Sequence, residues 1–103
     1  MAKRSRTVRR ETERAAEKLA AQREKLALLE PGGAAENPID VTTAAVIEPQ
    51  ARSMACTRCG AQPTRVDDHE AREIAGRRLR VVRTSCPQCG ATRAIFFRIV
   101  LPN

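Results

Sequence analysis

The periodicity of apolar and polar positions changes twice along the chain. Residues 7–30, TVRRETERAAEKLAAQREKLALLE, are dominated by Ala, Leu, Glu, Lys, Arg and Gln, all strong helix formers. Val8, Thr12, Ala15, Leu19, Gln22, Leu26 and Leu29 recur at a 4-3 spacing and share one stripe of the predicted helix. Pro31-Gly32-Gly33 stops it. Only four members of the stripe are large and apolar, and three of these lie in its second half. That is fewer than the filled heptads a coiled coil needs. The stripe suits either a mostly solvated helix docked at its end, or a helix that pairs with another copy or a partner. In the second reading its basic tip, Lys3 to Arg10, touches an anion.

The next stretch, PGGAAENP at residues 31–38, is small, polar and bounded by prolines, as a linker is. Ile39, Val41, Val46 and Ile47 then alternate with Thr and Ala. Residues 39–47 are expected to form one extended strand, or a lead-in leaning on the module that begins near residue 56, with Pro49 ending it. Beyond residue 56 the period becomes two. Strands are predicted over residues 61–70, 78–85 and 91–101, with Ala75-Gly76-Arg77 as a turn. In the last of these, ATRAIFFRIVL, Ile95, Phe97, Ile99 and Leu101 share one face, and Ala94, Phe96, Arg98 and Val100 share the other. Both faces are apolar, so both should meet something. Cover by residues 39–47 accounts for Phe96 in one reading; in the other, Phe96 belongs to an exposed contact surface. The organisation expected is therefore a basic arm and amphipathic helix (1–30), a linker (31–55) and a β module (56–103).

Composition adds a constraint. Among 103 residues Phe96 and Phe97 are the only aromatics, so any core is aliphatic and thin and calls for a further stabilising device. The net charge is +7, unevenly spread: +4 over residues 1–30, −2 over 31–55 and +5 over 56–103. A moderately basic surface suits polyanions, or serves solubility alone. No apolar run approaches the roughly 20 residues of a bilayer span. MAKRSRTVRRETER has no apolar stretch after its charges, and Glu11, Glu13, Glu17 and Glu24 argue against an Arg-rich presequence. The expected setting is cytoplasmic, with no membrane. There, paired cysteines are metal ligands or redox groups more often than disulfides.

All four cysteines lie in two copies of one motif, CTRCG at 56–60 and CPQCG at 86–90. Two cysteines separated by two residues can aim both sulfurs at one point when the chain turns back between them. The glycine after each pair tolerates the positive φ of such a turn. Its amide, and others in the loop, are expected to point at the sulfurs. Four thiolates match the tetrahedral preference of Zn²⁺. Bound as such they would contribute a net −2 and reduce the charge of residues 56–103 to +3. Residues 56–90 resemble the zinc-ribbon class. The resemblance implies a three-stranded antiparallel sheet, one structural zinc at its end, and Cys56, Cys59, Cys86 and Cys89 as ligands. The class spans transcription, translation and replication proteins and metal-stapled modules of enzymes. Rubredoxin, with an iron site of similar CxxCG…CPxCG form, is the rival likeness; its members are acidic and aromatic-rich, unlike this chain. A thioredoxin-type dithiol would need a single CxxC at a helix start.

A catalytic zinc keeps one coordination position open, whereas four thiolates close the shell. His69, in RVDDHEARE, reads as a solvated strand end more readily than as a base or a second metal ligand. No nucleophile–base motif and no phosphate loop occurs, so the chain is expected not to be an enzyme. Two functions remain. The first is nucleic-acid contact, alone or within a transcription or translation assembly. It would use Lys3, Arg4, Arg6, Arg9 and Arg10 of the arm, Arg78, Arg80, Arg93 and Arg98 of the strands, and Phe96 for stacking. The second is a protein-interaction or scaffold module, using residues 7–30 for a partner or self-association and the apolar edge of strand 92–101.

Overall fold

The computed structural model describes the backbone of residues 2–101 and the side chains of residues 6–101. Helix α1 (Ala2–Leu29) ends where Pro31 and the glycines begin. At the stop, Gly32 adopts a φ of +87°. Its N–H donates to Asn37 O (2.7 Å), and its carbonyl accepts the N–H of Phe96 (2.9 Å). A Cβ on Gly32 would come within 2.7 Å of Ile39 Cδ1 and 3.1 Å of Ile95 Cγ2, so the turn needs glycine for its conformation and for its closeness to the sheet.

The sheet has four strands: β1 (Ile39–Val41), β2 (Arg65–Ile74), β3 (Arg77–Ser85) and β4 (Thr92–Ile99). Their order across it is β1-β4-β3-β2. The pairs β2–β3 and β3–β4 are antiparallel, but β1 runs parallel to β4, with Ile39 opposite Phe97 and Val41 opposite Ile99. The sheet is thus four-stranded and mixed, which corrects the expectation of three antiparallel strands. The β2–β3 hairpin turns through Ala75 (φ 51°) and Gly76 (φ 76°). Two central residues with positive φ make the turn whose twist suits adjoining antiparallel strands. The strand expected over 61–70 begins four residues later, at Arg65.

Between β1 and β2 the chain does not stay extended. A 3-10 turn (Ala44–Val46) leads into helix α2 (Ile47–Ser53). Pro49, expected to end this segment, is the third residue of α2. A first-turn N–H has no intrahelical acceptor, so proline there removes no hydrogen bond. Thr64 holds the other end of α2, its N–H donating to Arg52 O (3.0 Å) and its Oγ1 to Ala51 O (3.2 Å).

Helix α2 covers one face of the sheet. Ile47 and Ala51 pack there with Val41, Val82, Ile95 and Phe97, all buried, and Ile39, Met54, Val66 and Ile99 close the margin. The adjacent phenylalanines of β4 therefore have different roles. Phe97 is 0% exposed in this core, whereas Phe96 faces the other way and is half-buried. Residues 39–47 cover the Phe97 face, not that of Phe96. On the Phe96 side, Val81 stands directly across from Phe96 and Glu70, and Leu79 across from Arg72. Both are buried. The flanking Arg72–Glu70 ion pair (3.4 Å) sets aliphatic stems beside them.

Candidate metal centre and its surroundings

The two CxxCG loops lie side by side at one end of the sheet, before β2 and between β3 and β4. They are built alike. Cys56 N–H donates to Ala61 O and Gly60 N–H to Cys56 O; Cys86 N–H donates to Ala91 O and Gly90 N–H to Cys86 O, all at 2.8–2.9 Å. Gly60 and Gly90 take φ values of +79° and +77°. Their amides are used on the carbonyls of Cys56 and Cys86, not on sulfur as expected from sequence. Other amides face the sulfurs: Arg58 N–H (3.4 Å) and Cys59 N–H (3.5 Å) reach Cys56 Sγ, and Gln88 N–H reaches Cys86 Sγ (3.4 Å).

The four sulfurs lie within 4.8 Å of one another. Cys56 Sγ is 3.6 Å from Cys89 Sγ, and Cys59 Sγ is 3.5 Å from Cys86 Sγ. A tetrahedral ion with metal–sulfur bonds of about 2.3 Å sets its ligands about 3.8 Å apart. The cluster fits such an ion, whereas a disulfide needs about 2.0 Å. Cys56 and Cys86 are buried while Cys59 and Cys89 are exposed. Ionisation divides unevenly among them. Burial opposes the Cys56 thiolate, but the amides of Cys59 and Arg58 and the neighbouring sulfurs outweigh it and bring its pKa down to about 7. The Ala91 amide favours the Cys89 thiolate, yet burial and the three other sulfurs push that group up to about 12. Four like charges this close cannot all persist without a cation between them. The cluster is a site that can hold a metal ion.

Helix α1 reaches the first loop through Arg58. Its Nη2 contacts both carboxylate oxygens of Glu17 at 2.8 Å, and its Nη1 contacts Glu24 Oε1 at 3.1 Å. Ala20 and Ala27 are buried between and beyond these glutamates. Residues 17, 20, 24 and 27 thus form the inward stripe. The expected stripe lies elsewhere: Val8, Leu19, Leu26 and Leu29 are exposed, Leu26 by 60%. Sequence reasoning missed Glu17, Glu24 and Arg58. Their 3- and 4-residue spacing with two alanines is visible in the chain, but it marks a polar, close-packed face and not an apolar one.

The candidate nucleic-acid residues do not form one surface. Arg80 lies opposite Phe97, so Arg80 and, by alternation, Arg78 and Arg93 project on the α2 face, while Phe96 and Arg98 project on the other. Arg98 makes a two-pronged ion pair with Asp40 (2.8 and 3.0 Å), whose hydrogen bonding holds the Asp40 carboxyl below its ordinary range. Arg93 is half-buried beside the cysteine cluster. Arg6, Arg9 and Arg10 are exposed on α1, and the side chains of Lys3 and Arg4 lie outside the described residues. Nor is β4 a free edge for a partner strand: Gly32 accepts the N–H of Phe96, β1 pairs along residues 97–99, and Val100 N–H donates to Val41 O (2.7 Å). His69 packs toward α2, its Nδ1 3.1 Å from Glu48 Oε2. Among the described residues, no helix is long and apolar enough to cross a membrane.

Comparisons with protein-family models, curated proteins and solved structures return no match.

Proposed function

We propose that this chain is a non-catalytic module stapled by one structural zinc ion, and that it contacts nucleic acid, alone or within a transcription or translation assembly. Four sulfurs at tetrahedral spacing support zinc. With its shell closed by four thiolates, the ion would offer no position to a substrate or to water. The observation that carries the nucleic-acid reading is the division of the arginines. Arg58, Arg65, Arg72 and Arg98 are engaged with acids. Among the described residues Arg77, Arg78, Arg80, Arg83 and Arg93 have no such partner; Arg78, Arg80 and Arg93 share the α2 face of the sheet, and Arg77 and Arg83 lie on the opposite face. Uncommitted guanidinium groups on a small rigid sheet suit phosphate. The test is binding of the zinc-loaded protein to labelled single-stranded DNA and RNA over a range of salt. Affinity should fall linearly on a log–log plot, with a slope of about −0.7 per phosphate engaged. Absence of binding at low salt, or affinity indifferent to salt, contradicts the reading.

A second reading, a protein-interaction module, draws on the exposed Val8, Leu19, Leu26 and Leu29 of α1. A leucine stripe facing water suits a partner helix or a second copy. Light scattering separates the two: a dimer that dissociates on substitution of Leu19 and Leu26 by Gln favours it, and a strict monomer that binds oligonucleotides favours the first.

A further inference from the structure

Arg93 is half-buried, yet among the described residues no carboxylate meets it at ion-pair distance. Its place on β4 accounts for this. Arg93 stands across from the buried Thr84, so its side chain projects on the α2 face, at the end of the sheet where the cysteine loops lie. With Thr84, Cys56 and Cys86 it lines a void of about 10 Å³. That is the lower limit for a single water molecule, so little solvent screens Arg93 from these two buried cysteines. It also borders a groove of about 420 Å³ shared with Cys56 and Glu30. Burial lowers the pKa of Arg93, while the charges of Glu30 and Cys56 favour the guanidinium.

A buried cation is costly unless opposite charge lies near it. Glu30 is exposed and makes no direct pair with Arg93, which leaves the cysteines. Four thiolates around one divalent ion carry a net −2. The amides of Arg58, Cys59 and Gln88 offer the sulfurs only partial charges, and the Arg58 guanidinium is committed to Glu17 and Glu24. We propose that Arg93 is a positioning residue of the metal centre, the counter-charge on the buried side of the thiolates that sets how tightly the site holds its ion. This rests on the structural-zinc reading above. It assigns Arg93 to the cysteines and leaves Arg77, Arg78, Arg80 and Arg83 for phosphate. The cluster reaches its full negative charge only with metal bound, so Arg93 is better compensated in the loaded protein than in the free one. That difference appears as metal affinity.

The experiment is competition for zinc between the full chain and a chromophoric chelator, with the spectrum of the cobalt(II)-loaded protein as a check on tetrahedral sulfur ligation. Arg93→Gln removes the charge but keeps a polar side chain; it should weaken zinc binding about 10–100-fold, as substitutions behind metal ligands do. Arg93→Lys should recover most of the loss, because it restores the charge. The cobalt spectrum should be the same in all three proteins, since the ligands are unchanged. Arg80→Gln, on the same face but farther along the sheet, should match wild type. Equal affinity of Arg93→Gln and wild type overturns the proposal. So does a Lys variant as weak as the Gln variant, which would show that shape and not charge was lost. Should Arg93→Gln take up no cobalt, Glu30→Gln decides: without the acid that competes for Arg93, zinc binding should tighten, and unchanged or weaker binding overturns the proposal. Wild-type protein that binds no zinc overturns the structural-zinc reading, and this inference with it.

Discussion

Replacing Phe97 by Ala should be far more damaging than replacing its neighbour Phe96, although the two look interchangeable in sequence. Phe97 is 0% exposed and sits among Val41, Ile47, Ala51, Val82 and Ile95, where α2 closes on the sheet. Phe→Ala at a fully buried site costs about 3–5 kcal/mol, combining lost transfer energy with the cavity left behind. Phe96 is half-buried and borders an open groove. Its truncation leaves no sealed cavity and should cost about 1–2 kcal/mol. Domains of this size lose about 4–8 °C in Tm per kcal/mol, so Phe97→Ala should melt roughly 12–40 °C lower and Phe96→Ala about 4–16 °C lower. Thermal melts followed by circular dichroism at one fixed excess of zinc make the comparison, because bound metal shifts Tm by mass action. Equal losses, or a larger loss at Phe96, would refute the assignment of the core to the α2 face.

Gly32→Ala should destabilise by about 2–5 kcal/mol, from positive φ together with overpacking against Ile39 and Ile95. Gly76→Ala, also at positive φ but with open space around it, should cost only about 1–2 kcal/mol; urea denaturation giving equal losses would contradict the close approach at Gly32. Arg58→Gln should change overall stability little, because Arg58 and its partners are substantially exposed and water screens the pairs. It should nonetheless strip hydrogen-exchange protection from α1 near Glu17 and Glu24, and unchanged protection would show that these ion pairs do not hold the helix. Metal uptake at pH 7 should release at least two protons, from Cys59 and Cys89, whose pKa values are raised above the ordinary thiol value. The metal-bound thiolates resist protonation that the free thiols accept, so the stability contributed by the metal is present at neutral pH and lost on acidification. Affinity should drop by at least about a hundredfold per pH unit, and uptake without proton release in a pH-stat would count against thiolate ligation.

Much of this arrangement is legible in the sequence because it is local. Two CxxCG loops, the strands after them and the Ala75–Gly76 turn each depend on neighbours within a few residues. The helix stop at Pro31-Gly32-Gly33 is equally plain. What escapes is nonlocal or carried by small side chains. Pairing of the three-residue β1 with β4 joins segments some 58 positions apart, as Asp40 and Arg98 are, and no short pattern announces it. Helix α2 is hidden by Pro49, which breaks a helix interior but not a first turn. The inward face of α1 is hidden for a different reason, since large apolar residues do not mark it. The closer approach is made by Ala20 and Ala27, with Arg58 satisfying the glutamates beside them, and the leucines are left outside.

The proposed stapling role of the cysteines is open to one direct measurement: elemental analysis of freshly purified protein, paired with thiol titration before and after chelation. The account predicts one zinc per chain and four thiols that react freely only once the metal is withdrawn, with loss of the strand signal at the same point. Protein that carries no stoichiometric metal, or whose cysteines prove to be joined as disulfides, would contradict it.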